Sequence, residues 1–192
     1  GQALGQPGLQ ADNKTPRIDL VFPTGGCVRA SDFESWFYMQ TGQTATPLQI
    51  TDVKFTSISG KLVSTVKGEP NASVQLKLDA KDPVNAIDIT FNRKVDPKTV
   101  TPQSIFFKNA PAKLVYTLET NANVVTMRIT EVMLQPGNFD NIQLIVVGNT
   151  IAGAAVLVVK AADDGTALDG DFNNQSGGNF VLPFRVIKSP EW

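Results

Sequence analysis

Histidine is absent from the 192 residues, and cysteine occurs once, as Cys27. The first absence removes the usual general base, the commonest neutral metal ligand, and any Ser-His or Cys-His nucleophilic pair. The second excludes an internal disulfide and a thiolate zinc site. No run approaches the roughly 18 apolar residues of a membrane-spanning helix. Neither sign of charge dominates, with 17 basic against 18 acidic residues and a net charge of -1, and no basic stripe marks a nucleic-acid footprint. Gly-x-Ser-x-Gly is missing, as is a Gly-rich phosphate loop with its Lys. Carboxylates at Asp32, Glu34, Glu69, Glu119 and Glu131 are present, yet their spacing selects no glycosidase pair. These absences lead to an expectation of no catalytic residue.

What is present is a globular composition, 42% hydrophobic and 18% charged. The chain begins at Gly1-Gln2-Ala3 without an initiator Met or a visible signal peptide, as a processed or truncated chain would. Residues 1–13 are rich in Gly and Gln without periodicity, and read as a flexible lead-in. Beyond them, period-two alternation dominates, the mark of half-buried strands. It runs through Ile18-Leu20-Phe22, Val74-Leu76-Leu78, Ile87-Ile89-Phe91, Ile142-Leu144-Val146, Val156-Val158 and Phe180-Leu182-Phe184-Val186. Leu114-Tyr116-Leu118 and Val125-Met127-Ile129 read as a hairpin around Thr120-Asn121-Ala122-Asn123, whose asparagines tolerate positive φ. Pro183 suggests that the last strand lies at a sheet edge.

Helix is scarce. Ser31–Met39 is the best candidate, with Ser31 as cap and Glu34 completing a capping box. A short turn is expected at Asp96–Val100, where Pro97 follows an Asp cap. Residues 48–66 read as two strands around Ser59-Gly60, with a phase change between Ile50 and Val53 that marks a bulge or bend. Many short strands separated by Gly, Pro and Asn turns point to an all-β, immunoglobulin-like antiparallel sandwich over residues 14–188, with one short helix in an insertion at about 27–72. The alternative division is a small β domain at 14–72 followed by the sandwich at 73–188.

Residues 84–107, VNAIDITFNRKVDPKTVTPQSIFF, carry a further pattern. An apolar strand ends in Thr90-Phe91, then Val95-Asp96-Pro97 and Thr99–Thr101 precede a second strand. This resembles the bacterial Ig-like domain of the SbsA type, found in S-layer and multidomain surface proteins. The opening Thr15–Ile18 with Phe22–Gly26, and the closing Asp164–Asp171 with Gly177–Phe180, are similar to such modules as well. About sixty residues separate the opening from the Thr-Phe strand here, where these modules usually have about ten. The resemblance implies a structural, spacer or binding module outside the cytoplasm, secreted, periplasmic or at the cell surface. It carries over no catalytic residue.

Two constellations invite a ligand. Asp163, Asp164, Asp169 and Asp171, with Asn173 and Asn174 nearby, offer the clustered oxygens that calcium wants; their spacing departs from the EF-hand loop. The competing reading is a solvated turn in which Asp and Asn serve the backbone. Trp36 and Tyr38, beside Phe33 and Phe37, form a platform for stacking on a sugar, against the alternative that these rings anchor the candidate helix to the core. Sequons at Asn13, Asn71 and Asn174 are about as many as chance supplies. Cys27 reads as a small hydrophobe beside the Gly25-Gly26 turn. The expected role is a non-catalytic structural or spacer module of an exported bacterial surface protein. The alternative is a module that binds polysaccharide or a surface protein through an aromatic patch or a strand edge, with no nucleic acid and no membrane insertion.

Overall fold

A computed structural model of the chain describes the backbone of residues 17–23 and 32–38, and residues 46–111, 114–131, 134–136, 141–149 and 157–188 in full. The chain divides into two compact units, Gly1–Thr44 and Ala45–Trp192.

In the first unit, β1 (Arg17–Pro23) pairs antiparallel with β2 (Asp32–Tyr38), from Arg17 opposite Tyr38 to Pro23 opposite Asp32. The alternation at Ile18-Leu20-Phe22 is thus a strand. The helix expected at Ser31–Met39 does not form, because its central residues are β2. A nine-residue helix is marginal in water, and adjacent aromatics lose χ1 freedom in it, whereas the same rings favour strand. Asn13, Ser31, Cys27 and the Gly25-Gly26 turn lie outside the described residues.

The second unit contains β3 (Ile50–Ser57), β4 (Leu62–Lys67), β5 (Val74–Leu78), β6 (Val84–Phe91), β7 (Ile105–Lys108), β8 (Val115–Asn121), β9 (Val124–Glu131), β10 (Ile142–Val146) and β11 (Phe180–Lys188). They form a five-stranded sheet, β4-β3-β6-β9-β8, and a four-stranded sheet, β5-β11-β10-β7. The fold is an all-β sandwich. β3 and β4, from the stretch expected to form an insertion, join the five-stranded sheet through β6. The phase change between Ile50 and Val53 is a register shift between Ile50 and Asp52 against β6.

The inward faces meet in one core. Phe55 of β3 stands 5.5 Å from Phe184 of β11, and Phe107 of β7 lies 5.5 Å from Tyr116 of β8 and 6.1 Å from Phe184, all tilted or edge-on. Ile87, Ile89 and Met127 are fully buried from one sheet, Ile142, Leu144 and Leu182 from the other. Full burial of each such side chain stabilises by about 1.5–3 kcal/mol. Burial raises the Tyr116 hydroxyl above its ordinary pKa, and that hydroxyl donates to the Ile105 carbonyl at 3.2 Å.

Three expectations about this unit change. β11 is not an edge strand: it lies between β5, which it meets in parallel, and β10. Pro183 is tolerated there because β5 pairing starts one residue later, at Val74 opposite Phe184. That parallel pair also makes the smaller sheet mixed. Val158 is not in a strand; Val156 lies outside the described residues, and the following Val159 makes a single backbone bond to Val147. The turn expected at Asp96–Val100 does form, as a 3-10 turn at Pro97–Thr99 capped by Asp96, whose carboxylate accepts from Lys98 N.

The β8–β9 hairpin forms, with Leu118 opposite Met127 and Asn121 opposite Val124, so that only Ala122 and Asn123 make the turn. Its positive φ, however, falls on Ala122 (53°) and on neither flanking Asn. Asn123 is occupied otherwise: its side-chain amide donates to the Phe91 carbonyl at 2.9 Å, docking the turn on β6. A positive φ at the first central position alone follows the type II′ pattern, which favours Gly. Ala122→Gly therefore removes a left-handed strain of about 1 kcal/mol at a smaller entropic cost. Thermal unfolding of that variant is expected about 1–2 °C higher, and a lower melting temperature would contradict the assignment.

Candidate functional site

The connection from β10 to β11 runs over residues 147–179, and its described stretch 157–179 contains all four predicted carboxylates. Its described residues fold back on one another. Asp169 is fully buried and acts as its hub. Its carboxylate accepts from the Gln49 side-chain amide at 2.7 Å, from Asn174 N at 2.9 Å and from Asn173 N at 3.1 Å, while its own N–H donates to the Leu48 carbonyl. A buried charge is tolerated only with such a set of donors. Beside it, Asn149 and Asn179 tie the two ends of the connection together. Asn179 accepts from Gly148 N and Asn149 N, and Asn149 accepts from Gly178 N at 2.7 Å. The glycines permit this closeness: a Cβ on Gly148 would lie 2.0 Å from the Gly178 carbonyl oxygen. Asp171 accepts from the Asn173 side chain at 3.1 Å.

Asp163 and Asp164 belong to a different group. Both pair with the Arg93 guanidinium, Asp164 at 2.8 Å, and Arg93 also donates to the Thr46 carbonyl at 2.7 Å. One cation thus fastens the segment entering β3 to the acidic turn. Arg93 holds the Asp163 carboxyl below the ordinary value, and hydrogen bonding from Thr166, then from Arg93, holds Asp164 at about 2. A carboxyl depressed in the folded state contributes stability above its unfolded pKa and loses it as pH falls through the folded one. The stability advantage of the native chain over Arg93→Gln should be constant from pH 5 to 8 and narrow below pH 4. Melting curves down to pH 2 measure it, and a gap that stays constant there would contradict the pairing.

The predicted calcium ligands are accordingly divided, two on Arg93 and two in the Asp169 loop. Among the described residues no group of three or more acidic or thiol side chains comes together to hold a metal ion. Trp36 and Tyr38 lie in β2, opposite Asp19 and Arg17 of β1; a ring platform there concerns side chains outside the described part of the structure. Of the sequons, Asn71 is exposed between β4 and β5, and Asn174 is engaged with the Asp169 loop.

The sequence reading missed a second feature. An open depression of about 710 Å³ lies where β5 begins beside β11, lined by Ser73, Gln75, Asn141, Pro183 and Arg185 with Val74 and Phe184. Gln75 and Arg185 are register partners. The depression exists because β5 stops short of the first half of β11, a consequence of a parallel pairing that no local pattern announces. Arg185 is exposed, and it enters no ion pair or hydrogen bond among the described residues.

Comparison with protein-family models, with curated proteins and with solved structures gives no match.

Proposed function

We propose that the chain is a non-catalytic structural module of an exported bacterial surface protein. The observation that carries this reading is the use made of its conspicuous polar residues. Asp169, Asn149, Asn179, Arg93, Asp163 and Asp164 bond to backbone or to one another and so fasten the long connection to the sandwich. Chemistry requires polar groups presented toward a reactant, whereas these are spent on rigidity. A spacer needs that property. The resemblance of residues 84–107 to the SbsA-type Ig-like module supports an extracellular setting.

Treatment of intact producing cells with a membrane-impermeant amine reagent tests this reading. Labelling of the protein before lysis is expected. Protection until the cells are broken would refute a surface location.

A further inference from the structure

We infer that the outer face of the four-stranded sheet is a binding surface for an acidic polysaccharide, with the depression at Arg185 receiving a carboxylate-bearing sugar. This goes beyond the structural role and does not depend on it.

The two outer faces of the sandwich differ in charge. On the five-stranded sheet, cations stand beside carboxylates: Lys54 lies 3.5 Å from Asp52 and Arg128 lies 3.3 Å from Glu119, while Asp88 accepts from Thr126 at 2.6 Å. On the four-stranded sheet, the outward strand positions include three cations, Lys77 on β5, Lys108 on β7 and Arg185 on β11, and no carboxylate. All three are exposed, and none is in an ion pair among the described residues. Among the described residues, the acidic residue nearest to these strands along the chain, Asp79, falls beyond the end of β5 and accepts from Lys81 N, while Asp140, which precedes Asn141 in the sequence, lies outside the described residues. A protein of net charge -1 thus places on one sheet face three cations that form no ion pair among the described residues. Strand spacing of about 4.8 Å and a rise of about 3.3 Å per residue spread the three over roughly 15–20 Å, the reach of a short oligomer rather than of one ion.

The groups between the cations indicate the partner. Gln75, Asn141 and Gln143 each offer donors and an acceptor, and Ser73 adds a hydroxyl, a set that matches vicinal sugar hydroxyls. The planar guanidinium of Arg185 presents parallel N–H groups to a carboxylate. The volume of the depression falls in the range of small-ligand sites. Nucleic acid would want aromatic rings for stacking among the cations, and the depression offers none at its surface, since Phe184 is 3% exposed.

The test is calorimetric titration of the full chain, at low ionic strength, with de-esterified oligogalacturonate, its methyl-esterified counterpart and poly-L-glutamate. Oligogalacturonate should bind, and added salt should weaken it. The methyl ester and poly-L-glutamate should bind at least tenfold more weakly. Arg185→Gln should lower oligogalacturonate affinity at least tenfold and Gln75→Ala about threefold, while Arg128→Gln on the opposite sheet stays within twofold. Each substituted side chain is exposed, so matching melting temperatures are expected to confirm folding. No binding of oligogalacturonate overturns the inference, as does equal binding of its methyl ester or an Arg185→Gln variant that binds normally. Poly-L-glutamate binding as tightly would make the face a surface for acidic proteins instead.

Discussion

Asp169→Ala is expected to destabilise the sandwich by about 3 kcal/mol. The substitution leaves three donors, the Gln49 amide and the N–H groups of Asn173 and Asn174, facing a small apolar void. A hydrogen bond to a charged group contributes about 1.5–3 kcal/mol, and an abandoned buried donor costs about 1–3 kcal/mol. Exposure of Asn173 and Asn174 lets water reach part of the vacancy, which keeps the total near the lower sum. For a unit of this size the loss corresponds to a fall of about 6–12 °C in melting temperature. Asp169→Asn keeps one acceptor but turns an amide toward donors, so it should fall between the two. A melting temperature within 2 °C of the native chain for Asp169→Ala would remove Asp169 from its place as hub.

Gly148→Ala should cost as much or more, by a different route. The added methyl would sit 2.0 Å from the Gly178 oxygen and 2.6 Å from the Leu168 oxygen; the latter accepts from Gly177 N, and Gly178 is held by its own N–H on Asn149. Close-packed interiors do not yield to such an intrusion without moving the chain, and overpacking costs about 1–3 kcal/mol even where side chains can adjust. At least 3 kcal/mol is expected. Gly165→Ala is the control: its Cβ meets nothing within 4 Å, but its φ is 72°, so only left-handed strain of about 1–2 kcal/mol applies. Urea titration of both variants separates the two causes. Equal losses would mean that the chain yields around the added methyl, because φ at Gly148 is not in the left-handed region and only the close approach fixes that glycine.

The strands were legible wherever alternation was local and one-sided. Ile87-Ile89-Phe91, the Leu118–Met127 hairpin and the Asp96-Pro97 turn all carry their signals within a few residues. The bulge after Ile50 could be read because a slipped register shifts the apolar face, which the sequence records directly. What escaped was non-local. Nothing near Val74 or Phe184 says that they pair in parallel, and that pairing turned a supposed edge strand into an interior one and opened the depression beside Arg185. Asp32–Tyr38 carries two opposed local signals, a capping pattern and a run of aromatics that favours strand, and the second prevails. In the candidate site the acidic residues were found, but not their employment. Arg93 stands 70 residues before Asp163, and Gln49 stands 120 before Asp169, so neither partner could be read from spacing.

A structural role for the Asp169 loop requires that residues 157–179 be fastened to the sandwich rather than held open for a ligand. Amide hydrogen exchange in the full chain tests this most directly. The N–H groups of Asn174, Gly177 and Gly178 should exchange as slowly as those in the interior strands β6 and β10, because the bonds to Asp169, Leu168 and Asn149 break only when the sandwich itself unfolds. Exchange of these loop amides orders of magnitude faster than the strands would show a loop that opens by itself, and would contradict a purely structural role for its carboxylates.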